Sequence, residues 1–101
     1  MKKIINGKKY DTATATEIAA WDNGCLRSDF SYCEESLYRK RTGEFFIHGR
    51  GGAMTKYSER CGNSWCDGEA IIPLSIAEAK AWMEDHCDVY TYEGTFGEVE
   101  E

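Results

Sequence analysis

The stretch "SLYRKRTGEFFIHGRGG", residues 36–52, crowds aromatic, arginine and histidine side chains together as no other part of the chain does. Extended runs at 35–41 and 44–48 flank Thr42-Gly43, and a two-residue turn there makes a hairpin. That turn sets Arg41 opposite Glu44, Lys40 opposite Phe45, Arg39 opposite Phe46, Tyr38 opposite Ile47 and Leu37 opposite His48. Side chains alternate along a strand, so Tyr38, Phe45 and Ile47 share an apolar face with Lys40. Leu37, Arg39, Phe46, His48 and the Arg41–Glu44 pair occupy the other. A slip of one residue in register exchanges the two faces.

The second face is the candidate binding surface. Arg39, Arg41, Phe46, His48 and Arg50 would set an aromatic ring among cations, able to fill a pocket on a protein or to stack on a base. The competing structural reading is a covered or amphipathic sheet face on which arginine stems lie along Phe46. The glycines of "HGRGG" are expected at a bend where the strand leaves the sheet, with an anion-binding nest as the functional alternative.

Outward from this hairpin, Asn6-Gly7 between "KKII" and "KKYD" supplies the positive φ angles of a tight turn, so an N-terminal hairpin is expected. "TATATEIAAW" reads as a helix: Thr14 and Glu17 have capping-box spacing, and Ile18 and Trp21 fall on one face. "AMTKYSER" reads as a short strand and "CGNSWCDG" as a loop by composition. "EAIIPL" reads as a strand ending at the single proline, Pro73. Ser75 with Glu78 caps a second helix whose buried stripe is Ile76, Ala79, Trp82 and Met83, with Glu84 and Asp85 facing water. Trp21 is expected to be buried with Trp82 and Met83. The tail, with Tyr90, Tyr92 and Phe96, is expected to pack back before the last acids fray. These runs specify one α+β domain over residues 1–101, a small antiparallel sheet with two main helices on one face.

"KIINGKKYDTATA", "LYRKRTGEFFIHGRGGAMTKYSE", "IIPLSIAEAKAWME" and "FGEVE" together resemble a family of roughly hundred-residue proteins carried by phages and mobile elements of Firmicutes and gut bacteria. The resemblance spans nearly the whole chain and implies no catalytic residues. It implies a context, that of small acidic accessory proteins, host-defence antagonists of the anti-CRISPR kind among them. "CGNSWCDG" lies outside the family pattern.

The chain has 101 residues and a net charge of −6, unevenly spread. Residues 1–60 carry eleven Lys and Arg against eight Asp and Glu, a balance of +3. Residues 61–101 carry Lys80 against ten acids, a balance of −9. This is either an acidic, solubilising surface or a dipole with a basic front and an acidic back. A balance of +3 is faint for a duplex binder, which needs several phosphate contacts. No apolar run of membrane-spanning length and no export signal is read, so the expectation is a cytoplasmic protein without membrane contact. In that compartment the five cysteines are expected to be free thiols. Zinc held by Cys61 and Cys66 with Cys25, Cys33, His86 or Cys87, and a Cys61–Cys66 disulfide, are the lesser readings.

No G-x-S-x-G, G-x-x-x-x-G-K-[ST] or G-x-G-x-x-G pattern occurs. Glu34 and Glu35 are adjacent, so on a strand they face opposite ways and make a poor acid–base pair. The expectation is a protein without catalytic residues, metal or cofactor. It works by binding a macromolecule: a protein first, in one reading a host nuclease met by the acidic C-terminal half, or alternatively nucleic acid met by the basic hairpin.

Overall fold

A computed structural model describes residues 1–99. The last acids that were expected to fray, Glu100 and Glu101, lie outside the described residues. The chain opens with the expected ribbon, β1 (Lys2–Ile5) and β2 (Lys8–Asp11). Asn6 and Gly7 sit at φ 51° and 77°, the left-handed pair that a tight hairpin turn needs.

The segment read as a helix is instead a strand, β3 (Thr16–Asp22). Alanine favours helix, but such propensity is small per residue and tertiary pairing overrides it. Asp11 first turns the chain: its carboxylate accepts from Ala13 N at 2.9 Å and its carbonyl from Ala15 N at 3.1 Å. β3 then pairs with β4 (Cys33–Arg39), with a register shift between Glu17 and Ala19. Ile18, at the shift, packs on the core beneath the helices.

β4, β5 (Phe45–Gly51) and β8 (Gly68–Leu74) complete a four-stranded antiparallel sheet of order β3-β4-β5-β8. Its register differs by one residue from the expected one. Arg39 stands opposite Phe45, Tyr38 opposite Phe46, Leu37 opposite Ile47 and Ser36 opposite His48. The cause is the turn. Lys40 N donates to Glu44 O and Gly43 N to Lys40 O, each at 2.8 Å, so the loop has three residues, with Gly43 at φ 92°. A three-residue loop closed by a left-handed glycine shifts the pairing by one and exchanges the faces. β8 also runs through Pro73 rather than stopping there; as an edge strand it tolerates a missing donor.

Both faces are covered. On one, Leu37, Phe45 and Ile47 pack with Ala79 and Met83 of α1 (Ile76–His86) and with Tyr92 and Phe96 of α2 (Val89–Phe96). The α1 capping box forms as expected, with Glu78 N to Ser75 Oγ at 3.1 Å and Ser75 N to Glu78 Oε1 at 2.9 Å. Ile76 is exposed, however, and Trp82 and Trp21 are only half-buried, because both indoles lie against the imidazole of His86 at the rim of the core. The tail does pack back, as α2: Asp88 caps it by accepting from Thr91 N, and it stops before Gly97 at φ 90°. On the other face, β1 and β2 lay Tyr10 over Phe46 and Ile71. The fold is therefore α+β with both helices on one side of the sheet and the N-terminal ribbon on the other.

The "CGNSWCDG" segment is not a loop but part of a hairpin, β6 (Glu59–Cys61) and β7 (Ser64–Cys66), turned at Gly62 with φ 63°. Cys61 and Cys66 form a disulfide across it, which corrects the expectation of free thiols at these two positions. Of "AMTKYSER", read as a short strand, only Glu59 and Arg60 are extended, as the start of β6; the residues before them form turns. No helix among the described residues is long and apolar enough to cross a membrane.

Candidate functional site

The five residues expected to share a binding face do not share one. Phe46 is 0% exposed, stacked on Tyr38 with ring centroids 5.2 Å apart and met edge-on by Tyr10 at 5.5 Å. Arg39 is on the opposite face, its guanidinium 5.5 Å from the centre of the Phe45 ring. Arg41 is exposed in the turn. Phe46, His48 and Arg50 do alternate onto one face of β5, but Phe46 is covered there and acids engage the other two. His48 Nε2 lies 2.9 Å from Glu69 Oε2, and Arg50 Nε donates to Glu34 Oε1.

Glu34 also accepts from Tyr32 and, at 3.2 Å, from Arg27. Partial burial pushes its pKa up, but these hydrogen bonds and the two guanidinium charges outweigh it and hold the carboxyl below its ordinary value. The cleft beside this network, about 430 Å³, carries Arg27 and Arg50 but also Glu59, Asp67 and Glu69. It is electrostatically mixed, with its cations already paired. The glycines of "HGRGG" make close approach possible rather than a bend or an anion nest. A Cβ on Gly49 would lie 2.1 Å from the Tyr57 ring, and one on Gly52 would lie 2.5 Å from Phe30 O. A carbonyl aimed at the backbone repels anions.

Glu35, facing the helices, is 5% exposed. Tyr57 Oη donates to it, as do Lys56 Nζ at 2.9 Å and Trp82 Nε1 at 3.0 Å. Burial raises its pKa, yet the three donors more than offset that and hold it low. Tyr57 is in turn pushed far up, by burial and then by its bond to Glu35, so it stays a neutral donor. Cys33, two residues before Glu35, has its thiol pushed up by burial and by the Glu35 charge. Cys87 is raised by burial and Asp88. Thiols shifted upward are poor nucleophiles, and both histidine rings are engaged, His86 by Trp21 and Trp82 and His48 by Glu69. Among the described residues no three or more His, Cys, Asp and Glu side chains gather as a metal would require. The Glu35 group is thus a junction tying β4 to the segment after β5 and to α1.

What remains open is one end of the sheet. The β3–β4 loop and the segment from β5 through β6 and β7 to β8 both emerge there. Gly52 N donates to Tyr32 O and Met54 N to Phe30 O, each at 2.8 Å, so the two segments are stitched together by backbone. From this frame Leu26, Phe30 and Met54 project, each at least 68% exposed. The same end of the sheet carries the disulfide-closed hairpin, where Arg60 and Trp65 are cross-strand partners and Arg60 lies 5.9 Å from the centre of the Trp65 ring. Trp65 is 58% exposed. Sequence reasoning missed this group because it took the segment as a loop. Cysteines five apart around Gly62-Asn63 were the signal of a stapled hairpin.

Comparison with protein-family models, with curated proteins and with solved structures found no match.

Proposed function

We propose that this chain is a non-enzymatic protein-binding module whose docking surface is the loop end of the sheet. The observation that carries this reading is that Leu26, Phe30, Met54 and Trp65, all exposed, stand on segments that leave the same end of the sheet and are held by backbone hydrogen bonds and a disulfide. Large exposed apolar groups on a rigid frame mark interaction sites. Tryptophan and arginine, here Trp65 with Arg60, are enriched among the residues that dominate binding energy. A stapled hairpin also loses little conformational freedom on docking. The groups that could do chemistry, by contrast, are committed to one another: Glu34 to Arg50, Arg27 and Tyr32; Glu35 to Tyr57, Lys56 and Trp82. The mobile-element context implied by the resemblance gives such a module a role as an accessory protein that antagonises a host nuclease or another defence component.

The nucleic-acid reading has weaker support. Phe46 is buried and cannot stack on a base, and His48 and Arg50 face carboxylates. The test is affinity capture from host lysate by the immobilised chain and, in parallel, by a Phe30→Ser/Met54→Ser/Trp65→Ser variant. A protein retained by the wild type and lost by the equally well-folded variant is expected. Retention by both chains alike, or of nucleic acid alone, contradicts the proposal.

A further inference from the structure

The charge asymmetry of the sequence has a spatial form that the loop end does not use. The first ten residues carry Lys2, Lys3, Lys8 and Lys9 and no acid. In the ribbon, Ile5 and Tyr10 face the sheet. Alternation and register put Lys2, Ile4, Lys9 and Asp11 on the outer face, Ile4 being the direct partner of Lys9 and Lys2 that of Asp11, whose side chain is buried. Ile4 is 66% exposed, and the ion pair that Lys9 makes with Asp11 is long, 3.9 Å. The outer face is therefore an apolar knob between two exposed ammonium groups, whose charge the buried Asp11 carboxylate offsets in part.

On the other side of the sheet, a groove of about 400 Å³ runs between α1 and α2. Met83, Cys87, Val89 and Tyr92 line its apolar part, and Glu84, Asp88 and Glu93 its edges. No Lys or Arg occurs at 81–99, and the nearest cation in sequence, Lys80, lies over the Phe96 ring. The groove thus has the inverse pattern of the knob, apolar within and anionic at the margins.

We infer that knob and groove are partners in different copies of this chain, the Lys2–Ile4–Lys9 face of one copy seating in the Met83–Tyr92 groove of the next. Ribbon and helices lie on opposite sides of the central sheet, so the two surfaces of one copy cannot meet each other. The contact is heterologous, and each bound pair leaves one knob and one groove free, so assembly proceeds head to tail. Like charges disfavour the groove-to-groove and knob-to-knob alternatives. Both patches are small, so association is weak and depends on concentration and salt. The loop end takes no part, which makes this contact independent of the docking surface proposed above.

Sedimentation velocity on the full chain tests it. In about 20 mM salt the average mass is expected to rise above the 11.5 kDa of one chain as concentration increases, and to return to it in about 0.5 M salt. A knob variant, Lys2→Ser/Ile4→Ser, and a groove variant, Glu84→Lys/Val89→Lys, are each expected to stay single. All four positions are exposed. Glu84→Gln reads the same groove with one mild change should the groove variant melt early, and is expected to weaken assembly at least about threefold. Mixed in equal amounts, the two variants still offer one intact knob and one intact groove, and two-chain particles with nothing larger are expected. A wild type that stays single throughout, assembly indifferent to salt or to the variants, or a mixture that fails to pair each overturns the inference.

Discussion

The indole Nε1 of Trp82 donates to Glu35 Oε1 across 3.0 Å, joining the second-to-last turn of α1 to the middle of the sheet. Tyr57 and Lys56 complete the ring of donors around that carboxylate. Replacing Glu35 with alanine strands the tyrosine hydroxyl and the indole N–H without an acceptor, and is expected to destabilise the fold by about 1–3 kcal/mol in urea denaturation. A loss below about 0.5 kcal/mol would mean that the junction holds nothing.

The same group sets a pH dependence. The Glu35 pKa is lowered in the folded state, so its contribution is fully present above the ordinary glutamate value of about 4.3 and is lost as pH falls through the lower folded value. Tyr57 acts at the other limit. Its raised pKa means stability declines once pH exceeds about 10, where the unfolded phenol ionises and the folded one does not. Melting temperatures across pH are expected to fall at both ends. In Glu35→Gln the acid slope is expected to flatten, and in Tyr57→Phe the alkaline one.

Phe46→Ala is expected to cost about 3–5 kcal/mol, because the ring is fully enclosed between Tyr38 and Tyr10. Arg39→Ala, on the exposed rim, is expected to change stability by less than about 0.5 kcal/mol. Equal effects in thermal melts would put Phe46 at the surface after all.

How much of this was legible in sequence depended on how local each signal was. Asn6-Gly7 and the Ser75–Glu78 capping box act within four residues, and both form as read. Thr14 and Glu17 have the same capping spacing, yet β3 forms there, because pairing with β4 across some twenty residues outweighs a weak helical preference. The hairpin register turned on whether the loop held two residues or three, and Gly43 permits both. That single step put Tyr38 rather than Arg39 beside Phe46 and left Arg39 on the other side, while the β1–β2 ribbon, far off in sequence, covered Phe46 with Tyr10. The exposed loop end was illegible for a related reason. Phe30 and Met54 meet only because Gly49, Gly51 and Gly52 let distant segments close over β5.

Gly49 supplies a direct check on that closure. A methyl group there would overlap the Tyr57 ring, so Gly49→Ala is expected to cost about 1–3 kcal/mol. In a Tyr57→Ala background the same change is expected to cost much less. Additive losses in the double-mutant cycle would show that the ring does not lie over β5.

The disulfide staple of the β6–β7 hairpin is chemically testable. Alkylation of the unreduced, denatured chain is expected to label three cysteines, Cys25, Cys33 and Cys87, and all five after reduction. Because the hairpin lies outside both cores, reduction is expected to leave the main melting transition in place while exposing Arg60 to trypsin. Five labels without reduction would remove the staple from the account.

The most direct measurement of the central claim is a calorimetric titration of a captured protein partner with four forms of the chain: wild type, Trp65→Ala, Arg39→Ala and His48→Ala. Docking at the loop end predicts that Trp65→Ala weakens binding by about 2 kcal/mol or more, roughly thirtyfold, while Arg39→Ala and His48→Ala each change it less than about threefold. Loss of affinity in Arg39→Ala or His48→Ala with Trp65→Ala unchanged would contradict it, and would return the binding site to the hairpin that the sequence first suggested.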